Sequence, residues 1–286
     1  MNVNPLPSKD NLQNLLFNSL NEQGYLLQEA CKYELEMNDT GWSVRATEYP
    51  VSIMGQDTKI DLVLWDNRTH DTFAIVECKR SDPSYRCWLF GAPNMKQRYS
   101  PDCQFMHVQG TQISSGASIS IISQVKSLTI DVPTYVAQSW LEVKAISVGR
   151  GSNPQNIENA FGQVLRGLSG FAHEQLTIRF KSNTPFKSIF IPVVVTTASL
   201  YVAHYDLKDI NLSTGKIENN KVDFGQWKPE EQPWILVYYG ATDSIAASPI
   251  PDSFHDNDPK QLLKYKMRSI FVVNSTHLAE FFKKLS

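Results

Sequence analysis

The stretch that most restricts how this chain can fold is Lys59 to Arg80, KIDLVLWDNRTHDTFAIVECKR. Two apolar runs, KIDLVLWD and DTFAIVECK, are rich in β-branched and aromatic residues, and the polar tetrapeptide NRTH separates them. That pattern predicts a β-hairpin. Side chains on a strand alternate between faces, so Phe73, Ile75, Glu77 and Lys79 point one way and Ala74, Val76 and Cys78 the other. A turn symmetric about Thr69 pairs Trp65 with Phe73, Val63 with Ile75, and Asp61 with Glu77. The hairpin therefore carries two carboxylates and an ammonium among Ile, Val, Leu and Phe. An isolated charge in such surroundings costs several kcal/mol. Either the strand ends open into solvent, or the charges answer one another and something that they bind.

Directly opposed strand residues hold their Cβ atoms roughly 4.5 to 5.5 Å apart. Two carboxylates that close repel unless one is protonated or both share a cation. A hard divalent ion such as Mg²⁺ suits them, because it takes oxygen ligands and keeps waters while bridging to phosphate. Lys79, one pleat beyond Glu77, can neutralise charge developing on a phosphate and orient an attacking water. The chemistry implied is metal-assisted hydrolysis of a phosphodiester. The competing reading is a structural ion pair, since Glu-x-Lys is frequent on exposed strand faces.

Elsewhere, residues 11–36 space Leu12, Leu15, Leu16, Leu20, Leu27, Ala30 and Leu35 at helical intervals, with a break or bend at Gly24. WSVRATEYPVSI (42–53) reads as a strand, completing a three-strand meander with the hairpin. Beyond Arg80 the pattern loosens for some seventy residues, including the Ser-rich QGTQISSGASISIISQ, with strand-like pieces at CQFMHV and TYVAQSWLEVKAISV. A helix follows, capped by Asn153 with Pro154 in its first turn, and Ile157, Ala160, Phe161, Val164 and Leu168 form its apolar face. KSIFIPVVVTT reads as a central strand buried on both sides and SLYVAHYDL as another. The tail holds a strand PWILVYYG, an Asp- and Pro-rich loop (248–260), and a last strand and helix, RSIFVVNSTHLAEFFKKLS. That helix docks by a stripe of Leu278, Phe281, Phe282 and Leu285.

An Asp on one strand, Glu-x-Lys on the next (Asp61, then Glu77-Cys78-Lys79), and the order helix, three strands, helix, two strands resemble the PD-(D/E)xK nuclease superfamily. The resemblance implies an α/β, restriction-endonuclease-like core: a mixed sheet flanked by helices, interrupted by an insertion and followed by a C-terminal extension. It places the nuclease-like domain at 1–210 with the insertion at about 80–150. An α/β extension then follows at 211–286, packed on the same domain. It implies Asp61 and Glu77 as metal ligands and Lys79 as the catalytic lysine, with Glu48 and Glu29 as further acidic ligands; Glu34 competes with Glu29 for that place. Gln163 is similar to the glutamine of a Q-x-x-x-Y motif near the active site in some branches, although Gly167 stands where that motif has Tyr. Ile60 likewise replaces the Pro before the Asp.

The implied activity is a Mg²⁺-dependent DNA endonuclease, with Mn²⁺ as a substitute, serving restriction, repair or phage defence. RNA stays open as a substrate, and a homodimer as an assembly. The alternative is a nuclease-like fold that binds nucleic acid or a protein and does not cut. Charge is unevenly spread along the 286 residues. Lys79 to Lys187 holds 12 Lys and Arg against 6 Asp and Glu, while the whole chain nets −2. Arg80, Arg86, Lys96, Arg98 and Lys126 are the candidate phosphate contacts. The four cysteines have no C-x-x-C spacing, which favours reduced thiols over a disulfide framework or a zinc site. No run approaches a membrane span and the first residues lack a leader pattern, so the expectation is a cytoplasmic protein.

Overall fold

The computed structural model describes residues 9–22, 25–53, 55–112, 119–143, 155–181, 186–225, 229–240 and 267–285. Gly24, Asn153, Pro154, residues 113–118 and 144–148, and the 248–260 loop lie outside them. Two helices, α1 (Lys9–Glu22) and α2 (Tyr25–Met37), lead into a meander of β1 (Trp42–Ile53), β2 (Gln56–Asp66) and β3 (Thr72–Lys79). Then come β4 (Cys87–Pro93), β5 (Asp102–Gln112), β6 (Ile119–Thr129), β7 (Val136–Ala137) and β8 (Ser139–Val143). The long helix α3 (Gln155–Lys181) precedes β9 (Phe186–Thr196) and β10 (Ser199–Tyr205). Short strands β11 (Val222–Asp223) and β12 (Glu231–Gln232) lead to β13 (Trp234–Gly240), β14 (Met267–Asn274) and the final helix α4 (Leu278–Lys284).

Among the described residues the fold is α/β, with two mixed sheets and flanking helices. The larger, 9-stranded sheet runs β1-β2-β3-β9-β14-β13-β7, with the β5–β6 hairpin also joined to β9. β3 pairs in parallel with β9 along its whole length, Thr72 opposite Ile189 to Lys79 opposite Thr196, and β9 forks on its other side. Its first half meets β5, up to Met106 opposite Phe190, and its second half meets β14, from Phe271 opposite Val193. Pro192, which has no N–H to give a ladder, stands at that fork. The C-terminal strands β13 and β14 are thus hydrogen-bonded into the same sheet as the meander.

Strand alternation builds a core on each side of this sheet. Phe73 and Ile75 join Ile157, Ala160, Phe161, Val164 and Leu168 of α3. Ala74, Val76 and Cys78 join Cys31 and Leu35 of α2 and Phe281 and Phe282 of α4. Each such large side chain, fully buried, contributes about 1.5–3 kcal/mol. The α4 stripe read from spacing is the buried one: Leu278, Phe281, Phe282 and Leu285 are all covered. α3 lies unusually close to β1 and β2, because a Cβ on Gly167 would stand 2.8 Å from Ile60 Cγ1 and one on Gly170 2.8 Å from Val51 Cβ.

Two features differ from the sequence reading. Within the loosened segment, residues 102–112 and 119–129 form a regular antiparallel pair, β5–β6, registered from Asp102 opposite Thr129 to Gln112 opposite Ile119. β10 does not stay beside β9. It turns into a second, 5-stranded sheet, parallel to β4, with β8 on the far side of β4. The turn is pinned at its corner, where Thr197 N–H donates to Lys79 O (3.3 Å) and Ser81 N–H donates to Thr197 Oγ1 (2.9 Å). This second sheet faces the first turns of α3, and the space between them is the cleft described next.

Candidate active-site cleft

The β2–β3 turn holds the hairpin in the expected register. Asp66 accepts hydrogen bonds from Arg68 N–H (3.0 Å), Arg68 Nε (2.8 Å) and Thr69 Oγ1 (3.1 Å), and His70 closes the turn at φ 55°. Burial pushes the Asp66 carboxyl up, but these bonds outweigh it and hold it below the ordinary range. Trp65 then pairs with Phe73, Val63 with Ile75, and Leu62 with Val76, where the ladder ends.

Asp61 sits where the strands change face. Tyr49 and Ile60 contact the α3-side core, Leu62 belongs to the α2-side core, and Ala46 and Val63 return to the α3 side. The β1–β2 register skips the Glu48/Asp61 position between these pairs, and Glu48 has the left-handed φ of 50°. Such backbone costs on the order of 1–3 kcal/mol in a residue other than glycine and concentrates at functional sites. The result is that Asp61 leaves the simple alternation. Its Oδ2 accepts from the Cys78 N–H at 2.6 Å, so a side chain takes the place of a strand partner just past the end of the ladder.

This brings Asp61 to the middle of Glu77-Cys78-Lys79. Glu77 is 5% exposed and its Oε1 lies 2.8 Å from Lys79 Nζ. Burial first, then the charge of Asp61, drives the Glu77 carboxyl up to about 7, against the opposing pull of Lys79 and Arg166. Asp61 is also raised, by burial and by Glu48, against the Cys78 hydrogen bond and Lys79. Two acids raised together in this way form a pair whose charges are incompletely answered by protein cations.

Lys79 opens onto a cleft of about 560 Å³. One wall is α3, with Asn156, Asn159, Gln163 and Arg166; Arg80, Ser81 and Asp82 form its rim, and Trp88 and Glu142 from the second sheet stand opposite. Asn156 Nδ2 donates to Glu142 Oε2 at 3.0 Å across it. Glu142 is buried, and burial holds its carboxyl above the ordinary range.

The structure brings Asp61, Glu77, Lys79, Arg80 and Gln163 to this region. Glu48 adjoins Asp61, but its exposed carboxylate pairs with Lys59 Nζ at 3.2 Å. Glu29 is exposed on α2, on the opposite side of the sheet from α3, as is Glu34, which accepts from Asn38. The proposed phosphate contacts are spread out. Arg86 is exposed before β4, and Lys126 lies on β6 opposite Phe105. Lys96 lines a different cleft, and Arg98 Nε is bound to Gln232 Oε1 (3.2 Å). Gly167 meets Ile60 in the helix–sheet contact, so the Tyr of a Q-x-x-x-Y motif has no room there. Sequence reasoning missed Arg166, Asn159, Asn156 and Glu142. The three α3 residues had a readable signal, because 156, 159, 163 and 166 recur at helical intervals as one polar stripe.

Among the described residues no group of three or more His, Cys, Asp or Glu side chains is placed to hold a metal ion, and no helix is long and apolar enough to cross a membrane. Asp61 and Glu77 are a set of two. That suits an ion such as Mg²⁺, which is held by one or two carboxylates and otherwise by water and phosphate. The raised carboxyls are the kind of charge imbalance that such an ion relieves. Comparison of the chain with protein-family models, with curated proteins and with solved structures finds no match.

Proposed function

We propose that this protein is a metal-dependent endonuclease that hydrolyses DNA phosphodiester bonds on a restriction-endonuclease-like, PD-(D/E)xK core. The observation that carries the reading is the buried Asp61/Glu77 pair, with Lys79 Nζ at 2.8 Å from Glu77 and Lys79 itself lining a polar cleft. Asp61 and Glu77 would hold a divalent cation, Mg²⁺ or Mn²⁺, which would supply Lewis-acid stabilisation and a lowered pKa for bound water. The chain's own residues do the rest. The Cys78 N–H holds the Asp61 carboxylate through Oδ2, leaving its other oxygen without a hydrogen bond among the described residues. Lys79 stands at the mouth, its side chain 28% exposed, where it balances charge on the attacked phosphate and orients the water. Gln163 faces the same cleft from α3 and positions the substrate.

A second reading, a fold that binds nucleic acid without cutting, is favoured by one observation: Lys79 is already spent on Glu77, as in a structural ion pair. Plasmid, linear and single-stranded DNA, with RNA as a parallel arm, separate the two when incubated with Mg²⁺, Mn²⁺ or EDTA. Metal-dependent cleavage that vanishes in Asp61→Ala and Lys79→Ala supports the nuclease. Binding without cleavage in every metal supports the second reading.

A further inference from the structure

α3 presents Asn156, Asn159, Gln163 and Arg166 to the cleft on one stripe, and three of the four have nothing to hold. Asn156 is bound to Glu142. Among the described residues, Asn159, Gln163 and Arg166 have no hydrogen-bond or ion-pair partner. The contrast with other arginines is direct. Arg45 covers the Trp65 ring at 4.6 Å, Arg68 binds Asp66, and Arg98 binds Gln232. Arg166 is half-buried, and its guanidinium offers five donors to open space.

The local sequence makes room for this. One helical turn earlier stands Gly162, and a Cβ there would sit 3.3 Å from Arg166 Nη1, so the glycine lets the guanidinium lie back along α3. From that position its charge reaches Glu77, while Lys79 and Arg80 line the same cleft. A guanidinium that lines an open cleft beside Lys79 and Arg80 without a protein partner is available to an anion, and its planar fork matches the oxygens of a phosphate in bidentate fashion.

We propose that Arg166 is the phosphate seat of the α3 wall, with Gln163 and Asn159 continuing the contact along a nucleic-acid backbone that lies on the stripe. This rests on the nuclease reading for the identity of its ligand. Arg166 is assigned as a substrate-binding residue; it touches the phosphate, whereas Asp61, Glu77 and Lys79 carry the chemistry.

The test is fluorescence anisotropy with a labelled DNA oligonucleotide, single-stranded and duplex, in EDTA so that nothing is cut, across a series of salt concentrations. The expected result is about tenfold weaker binding by Arg166→Ala and a plot of log affinity against log salt flatter by about one unit, the loss of one phosphate contact. Arg166→Lys should keep the slope and recover part of the affinity, and Gln163→Ala should weaken binding without changing the slope. Unchanged affinity and slope in a folded Arg166→Ala, while the wild type binds, would overturn the seat and leave the nuclease reading intact. No binding of either DNA by the wild type would overturn the seat, and the metal-dependent cleavage assay above then decides the nuclease reading by itself. Should Arg166→Ala fail to fold, Arg166→Gln, which keeps the size and loses the charge, decides on the same criterion.

Discussion

Two clefts among the described residues differ in how their charges are answered, and the larger of the two is the quieter. On the second sheet, around β10, a cleft of about 760 Å³ is bordered by Lys96, Tyr135, His204, Asp209, Lys221 and Asp223. Three of its acids are answered. Asp206 binds Lys208 at 2.6 Å beside it, Asp209 binds Lys221 at 3.6 Å, and Asp223 accepts from the Gly225 N–H. Beside the α3 cleft, by contrast, Asp61 is raised by burial and by Glu48, Glu77 by burial and by Asp61, and among the described residues Arg166, Gln163 and Asn159 have no hydrogen-bond or ion-pair partner. Volume alone would choose the other cleft. Unanswered charge under restraint is the stronger mark of a functional site, because protein folding ordinarily removes it.

The sharpest way to break this comparison is to alter one residue in each cleft. Asp61→Ala and Lys79→Ala should each lower metal-dependent cleavage by about 10²-fold or more, the usual cost of removing a group aimed at the reacting centre. Lys221→Ala should leave cleavage within about twofold. A gel-based plasmid assay measures both, and equal losses in the two clefts would dissolve the distinction.

Next in size is the pH dependence that Glu77 imposes. Its carboxyl, ordinarily at 4.5, is raised to about 7 in the folded protein, so the folded state holds the proton more tightly than the unfolded chain. Stability from this group is therefore fully present below about 4.5 and is lost as pH rises through about 7. The loss is on the order of 3 kcal/mol for the coupled pair. Urea unfolding at pH 5 and pH 8 without divalent ions should show the decline. Glu77→Gln should flatten it, and Mg²⁺ should restore the wild type at pH 8. A wild type equally stable at both pH values would show that the pair is not held under strain.

Smaller is the effect of crowding α3 against the sheet. Gly167→Ala places a methyl 2.8 Å from Ile60 Cγ1, so unfolding stability should fall by about 1–3 kcal/mol. Smallest is Lys221→Ala itself, which should change stability by no more than about 0.5 kcal/mol, as a surface substitution.

How far the sequence could be read follows from where the physics is local. The meander, β9 and α4 were legible because strict alternation or a 3.6-residue stripe leaves each run one way to bury its apolar side. Parity and a symmetric turn put Glu77 and Lys79 on one face with Asp61 near them, but the directly opposed Asp61–Glu77 pair that they predict is absent: the ladder ends at Leu62 and Val76, and Asp61 bonds Cys78 N–H. Of β5–β6 only CQFMHV was legible, because the serines and glutamines of the following stretch leave no hydrophobic alternation to read. Nor could local pattern say that β10 leaves β9 for another sheet, since partner choice is set by the Thr196–Ala198 corner and not by the strand's own residues. The way Asp61 reaches Cys78 N–H depends on a left-handed residue at Glu48, and nothing in a non-glycine sequence announces that. Arg166 was passed over for a different reason: a charge beside an apolar helix face reads as solvated until the opposing sheet is in view.

The central claim is that Asp61 and Glu77 share a divalent cation, and titration calorimetry of Mg²⁺ or Mn²⁺ into the protein at pH 8 tests it most directly. The account predicts binding by the wild type that disappears in Asp61→Ala and Glu77→Gln, both still folded, and persists in Lys221→Ala. Metal binding unchanged in the two acid variants, or none in the wild type, would contradict it.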